Sequence, residues 1–332
     1  MLLRSYFLMK LSKITIHVTA IDCKSASFCL VYCNLSFTRG MYDMSTMTVN
    51  GVSLYYVVKG QGIPIILIHP PVLTSISFAA QLRELSQECQ TIAFDIRGHG
   101  KSQESAKPVT YPLIASDMKE LMSGLGIEKA FLCGYSTGGS IVLEFLLRYP
   151  ERAYGGIIVS GISEVHDLRL KTRMLLGMVV AKLGAMRTLA LSLAWSNSER
   201  SMFWKTFQDA KKGNNQNAAE YYRYSLTYNC TDQLSEIKSP VLLVYGDKDK
   251  GFHSYGQLLH RLLPHNEFVY IRDVKHQIPS KAATAFHEVV KKFIDSPCEV
   301  AHTIERPALD STGGNEGIRH QTRNTPGEKQ RI

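Results

Sequence analysis

A chain of 332 residues, 45% apolar and 20% charged, holds enough material for one large or two small globular domains. Its formal charge of +9 is dispersed: residues 1–46 carry five Lys/Arg against two Asp/Glu, residues 297–332 carry five against five, and the +6 between them forms no basic block. That distribution argues for solubility and excludes a nucleic-acid-binding stripe, which would interleave clustered charge with aromatics.

Seven cysteines make an odd set without regular spacing, three of them (Cys23, Cys29, Cys33) near the N-terminus. Neither a disulfide framework nor a CxxC metal site is legible, so a reducing, cytoplasmic setting is expected. Residues 1–46 hold short apolar stretches broken by Lys10, Lys13, Asp22 and Lys24. None approaches the ~18 residues of a membrane span, and no clean cleavage site marks a signal peptide. The segment reads as a disordered extension or an over-extended, non-native start, with natural initiation near Met44 or Met47.

From Met47 the pattern becomes orderly. Thr48-Val49 and Ser53 to Lys59 flank Asn50-Gly51 and predict a hairpin, because Asn-Gly accepts the positive φ angles of a tight turn. Pro64 to His69 is a continuous apolar run, expected of a strand covered on both faces. A helix (Ser75 to Ser86), a strand (Thr91 to Phe94), a glycine-rich polar loop (Asp95 to Ser102) and a helix (Tyr111 to Leu125) follow. Next come a strand ending at Cys133, a helix to Tyr149 and a strand from Gly155 to Ser160. The alternation then stops. Residues 162–232 show only helical patterns, rich in Met and aromatics (Met174, Met178, Met186, Trp195, Met202, Phe203, Trp204), which must be buried against something. Strands resume at Pro240 to Tyr245 and Glu267 to Arg272, with helices at His253 to Leu263 and Ser280 to Ile294. The expected architecture is α/β: a mostly parallel twisted sheet with helices on both faces, built from residues 47–161 and 233–296, with 162–232 as an inserted all-helical cap. Residues 297–332, polar and without periodicity, read as a disordered tail.

Between strand and helix lies Gly134-Tyr135-Ser136-Thr137-Gly138, a G-x-S-x-G sequence. A serine there sits on a sharp turn, its hydroxyl presented at the sheet edge above a helix N-terminus whose amides can stabilise negative charge. A serine hydroxyl is a poor nucleophile until a base takes its proton, and the base needs a third group to orient it. His276 lies in the loop after the last strand, at its C-terminal end; His265 falls at the opposite edge, His287 within a helix, and His253 and His260 in or beside a surface helix. Asp247 and Asp249 both follow the penultimate strand. Asp249 is preferred, since a short turn is needed before the carboxylate faces the histidine. Asp247 reads as a turn residue bonding its own backbone.

Those features, Gly134-x-Ser136-x-Gly138, Asp95-x-Arg97-Gly98-x-Gly100-x-Ser102, Gly246-x-x-Asp249 and His276, resemble the α/β-hydrolase fold superfamily in its serine-nucleophile, helical-cap branch, over residues 47–296. The resemblance implies a Ser136–His276–Asp249 triad, in the Ser…Asp…His order of this architecture. Serine as nucleophile argues against the dehalogenase and epoxide-hydrolase relatives, which use aspartate. Arg97 and His99 are implied to be structural.

One departure stands out. The family places His-Gly-x after the strand ending near Ile68, and the x amide donates to the oxyanion; this chain has His69-Pro70-Pro71-Val72. Proline has no N–H, so Pro71 cannot donate. The Thr137 amide remains, and Val72 offers a second donor if the loop is shifted. The expected activity is hydrolysis of a small to medium apolar ester or related acyl compound, with no cofactor, no metal and no nucleic-acid partner. The rival is a ligand-binding or signalling protein on the same fold with little turnover.

Overall fold

In the computed structural model, residues 6–11, 14–19, 32–36, 43–295 and 320–321 are described. They fall into two units, Met1–Tyr42 and Asp43–Ile332. In the first, β1 (Tyr6–Leu11), β2 (Ile14–Thr19) and β3 (Tyr32–Ser36) pair antiparallel in the order β1–β2–β3. Short runs of Tyr, Phe, Ile, Val and Thr suit strands even where they are far too short to span a membrane. The extension expected to be disordered therefore includes three strands. The second unit starts at Asp43, not at residue 47, because β4 (Asp43–Val49) runs back beyond the expected boundary.

Asn50 and Gly51, at φ 45° and 80°, turn β4 into β5 (Val52–Lys59), pairing Val49 with Val52 across a two-residue loop. The strands β6 (Pro64–Ile68), β7 (Gln90–Phe94), β8 (Ala130–Tyr135), β9 (Ala153–Val159), β10 (Val241–Gly246), β11 (Asn266–Ile271) and β12 (His320–Gln321) complete the sheet. Its order is β12–β11–β10–β9–β8–β6–β7–β5–β4. Pairs from β7 across to β11 are parallel, while β4–β5, β5–β7 and β11–β12 are antiparallel. Apart from His320–Gln321, the expected tail 297–332 lies outside the described residues.

Alternation along the strands makes two cores. Ile66, Ile68, Leu132 and Leu243 face α2 (Tyr111–Gly124), α3 (Thr137–Arg148) and α8 (His253–Leu262), in one cluster with Met118, Phe145 and Leu259. Ile65, Leu67, Cys133, Leu242 and Val244 join Leu82 of α1 (Ala79–Glu84) and Phe286 and Val290 of the last helix in the other. Strands buried on both faces need unbroken apolar runs, which is why Pro64 to Ile68 shows no polar alternation. Two expected helices are broken: 75–87 is α1 between two 3₁₀ turns, and the last splits into α9 (Ile278–Lys281) and α10 (Ala283–Asp295) at Ala282, whose φ/ψ of −140°/42° leaves the helical region.

Between β9 and β10 the chain makes α4 (Leu168–Lys182), α5 (Met186–Asn197), α6 (Phe203–Ala210) and α7 (Asn215–Thr227). Ala181, Met186, Ala190, Ala210, Ala218 and Ala219 from this insert form a third cluster, and Val72 of the loop after β6 belongs to it. Met174 and Met186 are buried as expected; Trp195 and Trp204 are not, at 79% and 64% exposed. None of the described helices is long and apolar enough to cross a membrane.

Candidate active site

Ile68 pairs with Gly134, so β6 and β8 release the chain at the same sheet edge. Ser136 follows at φ 55° and ψ −123°, a conformation unfavourable for any residue with a Cβ. It is held on both sides: its amide donates to Val159 O (2.8 Å), and its carbonyl accepts from Gly139 N (2.9 Å). A Cβ on Gly134 would lie 2.2 Å from Gly138 O, and one on Gly138 would lie 2.2 Å from Ile68 O. The turn therefore closes only with glycine at both positions.

Asp249 and His276 arrive from the neighbouring strands. After β10, Asp249 N donates to Gly246 O (3.1 Å); the loop after β11 lies against this turn, with Lys248 N donating to Val274 O (3.0 Å). A Cβ on Gly246 would come within 2.4 Å of Val274 O and Lys275 O, so glycine is what admits the histidine loop. His276 Nδ1 lies 2.8 Å from Asp249 Oδ2, and its Nε2 lies 3.0 Å from Ser136 Oγ. With the ring proton donated from Nδ1 to the carboxylate, Nε2 accepts from the serine. The His276 and Asp249 side chains are 17% and 13% exposed, sheltered yet reachable.

The other residues weighed in the sequence are engaged elsewhere. His287 contacts Glu84 and Gln81, His260 contacts Asn266, His253 contacts the Gly246 carbonyl, and the His265 carbonyl accepts from Val241 at the far edge. Asp247 departs from expectation: its amide donates to Ile271 O, while its Oδ1 is buried without a hydrogen-bond partner instead of capping the turn.

The imidazole is flanked by two rings that the sequence reading passed over. The Phe252 centroid is 4.2 Å from that of His276, and the Tyr135 centroid 5.4 Å. Tyr135 OH donates to Asn197 Oδ1 (2.8 Å) of α5, linking the elbow to the insert. The x of G-x-S-x-G is the signal that could have drawn attention to Tyr135, because it immediately precedes the serine.

Thr137 begins α3, so its amide has no intrahelical acceptor. Val72, the other expected donor, adopts φ 70° although β-branched, and its side chain is fully buried in the insert cluster. Positive φ at valine is a costly backbone state that persists only under strong packing. Two further contacts brace this loop. Tyr221 OH of α7 donates to His69 O (3.0 Å), and Ile96 N donates to His69 Nε2 (2.9 Å), which leaves the ring proton on Nδ1 to bond Pro70 O (2.9 Å). Burial pushes the His69 imidazole down to about 4, only partly offset by the Pro70 carbonyl, so it is neutral.

Arg97 and His99 sit in the structural loop. Arg97 forks onto Asp117 through two 2.6 Å bonds, both side chains 1% exposed. His99, buried against His69 and Tyr221, is pushed down to about 3 by burial and by the neighbouring imidazole.

Residues 63–180 match a family model described as the alpha/beta hydrolase fold. An uncharacterized protein of Mycobacterium tuberculosis is 29% identical over 127 residues, 38% of this chain; the match spans only 37% of that relative's length. Serine hydrolase BPHL of Homo sapiens is 26% identical over 271 residues, 75% of this chain and 85% of that one. Among solved structures, the enol-lactonase from Burkholderia xenovorans LB400 superposes with a TM-score of 0.69 at 21% identity, covering 76% of this chain and 100% of that one. At that identity the likeness carries the fold alone.

Proposed function

We propose that the chain is a serine hydrolase of the α/β-hydrolase superfamily, acting on a small to medium apolar ester or related acyl compound. The observation that carries this reading is the continuous line of hydrogen bonds from Ser136 Oγ through His276 to Asp249. Ser136 attacks the carbonyl as His276 Nε2 takes its proton, and Asp249 fixes the imidazole and stabilises its positive charge. The tetrahedral oxyanion is received by the amides of Thr137 and Val72. The imidazolium then protonates the leaving alcohol, and water repeats the sequence to release the acid and restore the serine. The insert 162–232 roofs the acyl site in this proposal. The likeness to a human serine hydrolase supports the same chemistry.

A second reading, a ligand-binding or signalling protein with little turnover, draws on Pro70-Pro71. A missing oxyanion donor costs about 3 kcal/mol of transition-state stabilisation. The strained backbone at Val72 supports hydrolysis, because an amide displaced by one residue has to be re-aimed.

Hydrolysis of p-nitrophenyl esters of graded acyl length, wild type beside Ser136→Ala, tests the proposal. Turnover lost in the variant is the expected result. If neither protein turns over and a fluorophosphonate fails to label Ser136, the binding reading replaces it.

A further inference from the structure

Helix α4 is apolar on two opposite faces. Leu170, Met174, Gly177 and Ala181 are buried, as in any helix packed on a protein. Leu168, Leu175, Leu176, Val179 and Leu183, at the end of the same helix, are 41–78% exposed. At 3.6 residues per turn, these five side chains fall within about 100° of arc, directly opposite the buried stripe. They form a second, ordered stripe, not scattered surface leucines.

Basic residues border this stripe on both sides: Lys171 and Lys182 flank one margin, Arg169 and Arg173 the other. Contrary to the dispersed charge expected from the sequence, residues 168–205 carry seven Lys/Arg against a single acid, Glu199, and among the described residues none of the seven is in an ion pair. Both tryptophans of the chain belong to the same insert, Trp195 on α5 and Trp204 on α6, and both are exposed. Phe203 lies between them, its ring centroid 6.0 Å from Trp195 and 4.9 Å from Trp204.

A protein partner needs a matched surface, whereas a bilayer surface needs only this combination. The apolar stripe enters the acyl boundary, Lys and Arg stems reach back to phosphates, and tryptophans settle at headgroup level. We propose that the α4–α6 face of the insert is a peripheral membrane-binding surface selective for anionic lipid. The protein lies on the bilayer through this face and does not span it.

The two tryptophans make the test direct, since they are the only ones in the chain and both are exposed on the insert. Full-length protein is titrated with phosphatidylcholine vesicles with and without phosphatidylglycerol, following tryptophan emission and vesicle flotation. The expected result is a blue shift and flotation with the anionic vesicles, reversed by high salt. Leu176→Glu/Leu183→Glu should weaken partition roughly a hundredfold, and Lys171→Glu/Lys182→Glu by more than about tenfold. Both variants should keep the wild-type circular dichroism and melting curve. Ser136→Ala should bind vesicles like the wild type, which separates this surface from the catalytic reading.

Absence of partition by the wild type would overturn the proposal, as would equal partition onto neutral vesicles or partition indifferent to both double variants. A lipid-free dimer that Leu176→Glu/Leu183→Glu converts to monomer would also overturn it, because a second copy would then cover the stripe.

Discussion

The phenol of Tyr221 donates a hydrogen bond to the carbonyl of His69 at 3.0 Å, tying helix α7 of the insert to the first residue of the loop that carries Val72. Burial pushes the Tyr221 hydroxyl well above its ordinary pKa, so it stays a donor at any working pH. Val72 is gripped from the same side by the alanine-rich cluster of the insert. The insert thus holds both ends of the His69–Val72 segment, the one segment where prolines remove the usual amide.

Tyr221→Phe keeps the ring and removes this tie. If the Val72 amide serves the oxyanion as proposed, the expected outcome is a fall in kcat of about tenfold with KM little changed, because that amide is then aimed less well. Stability should fall by about 1 kcal/mol, the usual worth of one hydrogen bond, read from urea denaturation. A change in KM alone would place Tyr221 in substrate binding instead.

Asp249→Asn should preserve the fold while kcat falls by roughly four orders of magnitude, since an amide that donates to Nδ1 favours the wrong imidazole tautomer. Asp247→Asn is the paired control. His276 Nδ1 bonds Asp249, whereas Asp247 Oδ1 has no hydrogen-bond partner, so turnover of the control should stay within about threefold of wild type. Steady-state rates on one p-nitrophenyl ester compare the two.

What could be read in advance was whatever local sterics force into residue type. Gly134 and Gly138 are visible as a motif because a Cβ at either would strike a carbonyl oxygen at 2.2 Å, and Asn50-Gly51 because a two-residue turn demands positive φ. The doubly covered strands were legible for a similar reason, since burial on both faces leaves an unbroken apolar run. Tyr221 was not legible. Its partner is a backbone carbonyl 152 residues earlier, which leaves no trace in local pattern. Trp195 and Trp204, expected to be buried, are exposed, because apolar character marks a face without saying what the face meets. Periodicity also missed the break at Ala282, a residue whose propensity favours helix.

Arg97→Ala is expected to cost 3–5 kcal/mol, roughly, because it strands the Asp117 carboxylate at 1% exposure without its guanidinium. The Asn50 amide, 2.9 Å from Asp117 Oδ1, cannot neutralise the charge. The loss should appear as a lower denaturation midpoint. Near-unchanged kcat in the remaining folded protein would assign the loop to support of the fold, not to the chemistry.

Acid should destabilise the fold through His69 and His99. Both are buried and neutral, held down to about 4 and about 3 from an ordinary 6.5. The unfolded chain therefore binds more protons than the folded one below pH 6.5. Their contribution is complete above that value and is lost as pH falls toward 4 and then 3. At 1.36 kcal/mol per pKa unit the full loss is on the order of 3 kcal/mol for His69 and about 5 kcal/mol for His99. Protonating His69 Nε2 would also set a donor against the Ile96 amide that now bonds it, loosening the loop that bears Val72. Urea denaturation at pH 7 and pH 4.5 should show the drop. His69→Gln, which offers Ile96 an acceptor that does not titrate, should flatten the slope by roughly half. A slope indifferent to that substitution would assign the acid sensitivity to other groups.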